Sequence, residues 1–117
     1  DVEAHIKKIA GDKAEVKLLA GKNPSKLSPT DSRAFKVIEA TCKSMDPKAI
    51  VAPYLVMGGT DARQYEDVCD NIYRYAPFKV DVPLLRCTHG TNERLPVSCM
   101  ENALVFFKNY IRRASAE

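Results

Sequence analysis

Residues 49–63 read AIVAPYLVMGGTDAR, and this stretch decides the fold class. From Ala49 to Met57 the run is almost wholly apolar, the pattern of a strand buried on both faces, as in a parallel sheet. Pro53 interrupts it, because a proline lacks the ladder donor and favours an edge strand or a bulge. Gly58-Gly59 ends the run, and Thr60-Asp61 opens a short helix expected over about Ala62 to Val68. Asn71 to Ala76 (NIYRYA) reads as a second strand, so residues 49–76 form a strand–helix–strand crossover. The expectation is an α/β fold, a small and mostly parallel sheet flanked by helices.

Upstream, Ser28-Pro29-Thr30-Asp31 has the grammar of a helix start, with Ser28 as cap, Pro29 in the first turn and Asp31 completing an S-x-x-D box. Ala34, Val37, Ile38, Cys42 and Met45 then share one apolar face until Asp46-Pro47 stops the helix. Downstream, Val97 to Arg113 is the clearest helix, with Met100, Ala103, Leu104, Phe107, Tyr110 and Ile111 along one side. At the N-terminus, Val2, Ile6, Ile9 and Ala10 predict a short amphipathic helix, broken by Gly11-Asp12. Ala14 to Ala20 alternates as a strand would, and the polar stretch from Gly21 to Ser28 reads as an interdomain linker. Two segments follow, 1–27 and 28–117.

The bulk properties narrow the class further. The chain has 117 residues, 45% hydrophobic and 28% charged, the balance of a soluble globular protein of about one domain. No apolar run approaches the ~20 residues that span a bilayer, so membrane insertion is not expected. The net charge of +3 is spread over interspersed signs, and no basic stripe is interleaved with aromatics, which argues against a nucleic-acid partner. Cys42, Cys69, Cys87 and Cys99 form no C-x-x-C pair and read as reduced thiols of a cytoplasmic protein. The chain lacks an initiating Met and starts within a helical pattern, which suggests a fragment.

Two segments carry possible chemistry. In Met57 to Arg63, paired glycines let a backbone approach a ligand closely, and the helix start beyond them offers free amides to an anion. The Thr60 hydroxyl can donate, and Arg63 can grip a carboxylate with two parallel bonds. A tight turn capped by Thr60 or Asp61 accounts for the same residues without any ligand. In Thr88 to Arg94 (THGTNER), His89 is a candidate metal ligand, Gly90 keeps the approach open, and a nearby carboxylate can orient the imidazole. A solvated loop histidine beside a helix cap is the alternative. His5 lies on the polar side of the first helix.

The order and spacing of SPTDS (28–32), VAPYLVMGGTDAR (51–63), NIYRYAPF (71–78) and HGTNER (89–94), followed by an amphipathic helix, resemble the C-terminal part of the co-catalytic zinc amidohydrolases. That family includes carboxypeptidase S, glutamate carboxypeptidase, aminoacylase and succinyl-diaminopimelate desuccinylase, and GGTDxR with HGxNER looks most like the carboxypeptidase S and N-acyl-amino-acid hydrolase branch. The resemblance implies part of a three-layer zinc-exopeptidase-like catalytic domain at 28–117. It makes 1–27 the last helix and strand of a lid domain through which such enzymes form homodimers. It makes His89 a ligand to one of two zinc ions, with cobalt or manganese as alternatives. It places Gly59 and Thr60 in the substrate-contacting turn, Arg63 near the substrate's free carboxylate, and Asn92 and Glu93 in support of His89. The remaining ligands and the general base belong to an N-terminal half not contained in this sequence, so no catalytic residue is assigned here. The implied reaction is hydrolysis of an amide bond next to a free carboxylate, in a peptide or N-acyl amino acid, by the intact protein and not by this chain alone. A non-catalytic α/β anion-binding or oligomerisation module is the alternative.

Overall fold

The computed structural model describes residues 1–116. Its regular structure is helical. Helix α1 spans Val2–Ala10, α2 Arg33–Met45, α3 Val82–Leu85 and α4 Ser98–Ala114, with 3-10 turns at Gly11–Lys13 and Asp61–Tyr65. No strand forms among the described residues, so the expected α/β sheet is not confirmed. The apolar stretch 49–57, the segment 71–76 and the alternating segment 14–20 all run as irregular chain. A strand exists only through the ladder bonds of a neighbour, and these segments do not pair with one another.

The helices follow their local signals. Asp1 caps α1 by accepting from the Glu3 amide at 3.1 Å, and Gly11 closes it at φ 52°, a backbone angle that favours glycine. α2 ends at Met45, before Asp46-Pro47, as its sequence requires. Its start is four residues later than expected, because Ser32, and not Ser28, is the cap and accepts from the Phe35 amide at 3.1 Å. The expected helix at 62–68 is a five-residue 3-10 turn, Asp61–Tyr65, with Thr60 as its cap. Helix α3 lies in what reads as a proline-punctuated loop. Its signal is Asp81, whose carboxylate accepts from the Leu84 amide at 2.9 Å, with Pro83 in the first turn.

The core lies where α2 meets α4, the one pair of long helices in contact. Thr41 of α2 is fully buried there, and its hydroxyl donates to the Val37 carbonyl at 2.7 Å. On α4, Cys99, Ala103 and Phe106 are buried, and outside the two helices so is Pro77. Phe106 is packed by Tyr75, Phe107 and Tyr110, with ring centroids 4.9–6.2 Å apart. The buried stripe therefore differs from the expected one: of the six predicted residues only Ala103 is buried. Met100, Leu104, Phe107 and Ile111 stand 44–69% exposed on another side. α4 is apolar on two sides, as in a helix enclosed by neighbours.

A second tie holds the loop before α2 to the segment after residue 70. The Ser28 hydroxyl donates to the Ile72 carbonyl and accepts from the Ile72 amide, both at 2.9 Å. Tyr73 donates to the Pro29 carbonyl, so the Ser32 hydroxyl donates in turn to the Tyr73 oxygen at 2.6 Å. The Phe35 ring lies 5.7 Å from that of Tyr73. By contrast, α1 touches only the 3-10 turn that follows it.

The chain is open for its size. Its radius of gyration is 19.3 Å, against about 13 Å expected for a self-contained domain of this length. Its accessible surface is 10159 Å², where the size scaling gives about 6,300 Å². Leu19, Ile50 and Met57 are more than nine-tenths exposed. All four cysteines are free, and no helix of the described residues is long and apolar enough to cross a membrane.

Candidate functional site

The segment 51–59 borders a groove of about 820 Å³ floored by Phe35 and Ile38 of α2, with residues 72–75 on its other side. Gly58, Gly59 and Arg63 are among its lining residues. Neither glycine has a positive φ, and a Cβ built on either meets nothing within 4 Å. Neither backbone angle nor packing within the described chain thus demands glycine at these two positions.

Beside them, the Thr60 side chain is held from two directions. Its Oγ1 accepts from the Ala62 amide at 3.3 Å and from Nε of Arg74 at 2.8 Å. Arg63 follows within the same turn, its amide donating to the Thr60 carbonyl at 3.2 Å. The anion site expected at a helix start here is weaker than the sequence suggested, because a five-residue 3-10 turn carries little macrodipole.

Arg74, which sequence reading passed over, lines the same groove as Gly59 and Arg63. The signal was present: it is the one charged residue inside the otherwise uncharged run NIYRYAPF. No carboxylate of the described residues lies within ion-pair distance of either Arg63 or Arg74. Two guanidinium groups therefore face one groove without an acidic partner, an arrangement suited to an anionic ligand.

His89, Asn92 and Glu93 lie elsewhere. They sit in the loop between α3 and α4, exposed, and none of them lines the groove. His89 and Asn92 both adopt left-handed backbone angles, φ 59° and 61°, which histidine and asparagine tolerate better than most side chains. The Asn92 carbonyl accepts from Arg94 at 3.0 Å, and the Gly90 amide donates to the Cys87 carbonyl at 2.9 Å. Among the described residues no three His, Cys, Asp or Glu side chains converge on a possible metal position. A catalytic zinc takes about three protein ligands, so this loop supplies one imidazole and not a complete metal site.

Comparison with known proteins covers both segments. The sequence is similar to a probable carboxypeptidase S-like protein of Dictyostelium discoideum, 28% identical over 115 residues, which covers 96% of this chain and 22% of the relative. The N-fatty-acyl-amino acid synthase/hydrolase of Mus musculus is 28% identical over 109 residues, covering 91% of this chain and 22% of its own length. Carboxypeptidase S of Saccharomyces cerevisiae is 27% identical over 105 residues, 83% of this chain and 18% of the yeast protein. No family model matches the sequence, and no solved structure matches it. Over most of its length the chain is thus a homologue of the carboxypeptidase S-like and N-fatty-acyl-amino acid synthase/hydrolase proteins, and it spans about a fifth of the length of those relatives.

Proposed function

We propose that this chain is part of a longer, metal-dependent hydrolase that cleaves an amide bond next to a free carboxylate, in a peptide or an N-acyl amino acid. The observation that carries the reading is that Gly58, Gly59, Arg63 and Arg74 line one groove, with no carboxylate of the described residues within ion-pair distance of either arginine. Glycines that the local backbone does not require leave room for a substrate backbone, and a guanidinium recognises a carboxylate with two parallel bonds. The names of the relatives point to the same two substrate classes. In this reading Gly59, Thr60 and Arg63 form the substrate side, and His89 is one ligand to a zinc whose other ligands come from the rest of the protein. Asn92 and Glu93 support that loop. The chain's own residues do not fit a metal without those ligands, so no step of the reaction is assigned to them.

The openness of the chain supports the same reading. An accessible surface of 10159 Å² and a second apolar side on α4 fit a piece that further polypeptide covers. Residues 28–117 would belong to the catalytic domain and 1–27 to a lid domain. The exposed Val2 and Ile9 of α1, 75% and 72% accessible, would be covered there or by a second subunit.

The test is hydrolysis of an N-acyl amino acid and of a dipeptide by the longest native polypeptide carrying this sequence, with and without added zinc. Zinc-dependent turnover is expected, with none from residues 1–117 alone. Binding of the acyl amino acid without turnover by the intact protein would instead favour a non-catalytic anion-binding module.

A further inference from the structure

We infer that Arg74 is a second carboxylate-gripping residue of this groove, and that Thr60 acts on the substrate through Arg74, by holding its guanidinium in place. The inference rests on the hydrolase reading above and adds to it a residue and a division of labour.

The geometry is specific. Nε of Arg74 donates to Thr60 Oγ1 at 2.8 Å, across fourteen residues of sequence. Thr60 Oγ1 also accepts from the Ala62 amide, so the oxygen is fixed by the backbone of its own turn. An arginine held through Nε keeps its two terminal nitrogens free, and their parallel N–H bonds are the edge that matches a carboxylate. Arg74 lines the groove whereas Thr60 does not. Thr60 is therefore a positioning residue, and the group presented to a ligand is the guanidinium.

Arg74, like Lys26, Ser28 and Ile72, lines both the groove and a narrow recess of about 20 Å³ whose lining also includes Glu66 and Asp70. The acids there do not neutralise it. Asp70 pairs with Lys26 at 3.6 Å, and Glu66 keeps Oε1 buried without a partner and outside ion-pair range. Arg74 thus retains its charge for the groove, beside Arg63. Arg63 and Arg74 line a groove whose other walls include Phe35, Ile38, Val51, Leu55 and Val56, a lining that suits a ligand with both an anionic group and an apolar part. An N-acyl amino acid with a free carboxylate has that form.

The experiment uses the longest native polypeptide carrying this sequence, with an N-acyl amino acid and its C-terminal primary amide as paired substrates. The unaltered protein is expected to prefer the free carboxylate. Equal turnover of the pair, or none of either, would overturn the hydrolase reading and this inference with it. Given that preference, Arg74→Ala should raise KM for the carboxylate substrate about tenfold to a hundredfold, the scale of a charge-assisted bond, while kcat and the amide substrate change little. Arg74→Lys should recover part of the loss. Thr60→Val should raise KM by a smaller factor, Thr60→Ser should keep it, and Thr60→Val should add nothing in the Arg74→Ala background. A preference for the carboxylate that survives Arg74→Ala would overturn the inference alone. So would independent, multiplying effects of the two substitutions. Should Arg74→Ala fail to fold, Arg74→Lys and Thr60→Val carry the same comparison, with thermal unfolding recorded for each.

Discussion

Ser28 holds both backbone polar groups of Ile72 with one hydroxyl, donating to the carbonyl and accepting from the amide at 2.9 Å each. A single serine here substitutes for the ladder bonds that a neighbouring strand would make, and it anchors the segment that carries Tyr73 and Arg74. The Tyr73 bonds to Pro29 and Ser32 and the Arg74 bond to Thr60 continue from this clamp toward the groove.

Ser28→Ala leaves two half-buried backbone groups without partners, at a cost of about 1–2 kcal/mol. The expected readout is faster hydrogen exchange of the Ile72 amide together with a lower urea midpoint. An unchanged exchange rate at Ile72 would show that water replaces the serine at no cost.

Phe106 and Leu104 lie on different sides of α4, and truncating them should separate cleanly. Phe106 is 3% exposed at the α2–α4 contact, and Phe106→Ala should destabilise the chain by about 3 kcal/mol. Leu104 is 69% exposed, and Leu104→Ala should stay within about 0.5 kcal/mol. Urea unfolding of both variants decides the matter, and equal losses would mean that α4 buries the wider stripe its sequence suggests. The proposed function has further polypeptide cover the second side of α4, and on that proposal the Leu104→Ala loss should grow in the longer protein.

The Tyr75 phenol is pushed up to about 12, first by desolvation and then by the neighbouring Cys42 thiol. The folded chain therefore holds this proton more tightly than the unfolded chain does. The resulting stability is fully present below about pH 10 and is lost as pH rises through about 12. Ultraviolet titration should show a late tyrosinate step that Tyr75→Phe removes. Cys42→Ala should bring the step part of the way down. A Tyr75 step at its ordinary value would show that neither burial nor Cys42 acts on the phenol in solution.

Residues 1–117 on their own should retain well under one zinc ion per chain after gel filtration, because a single imidazole at His89 cannot hold a catalytic ion. The longest native polypeptide should hold zinc, and His89→Ala in it should lower the metal content as well as the turnover. Full zinc occupancy in the His89→Ala variant would remove His89 from the ligand set.

How much of this was legible in the sequence can be read element by element. The existence of α1, α2 and α4 was plain, because a 3.6-residue apolar period and local stop signals are properties of adjacent residues, and a helix satisfies its own backbone. The order of the GGTDAR and HGTNER segments likewise pointed, without any structure, to the relatives that the comparisons found. What sequence could not decide was everything that needs a partner at a distance. Ser28 and Ser32 offer the same hydroxyl four residues apart, and only the position of Ile72 makes one a clamp and the other a cap. Which side of α4 is buried depends on where α2 lies. The apolar run at 49–57 has the composition of a strand but no ladder among the described residues, since strand pairing is a relation between segments and not a property of one. Sequence reading passed over Arg74, which only tertiary structure sets 2.8 Å from Thr60.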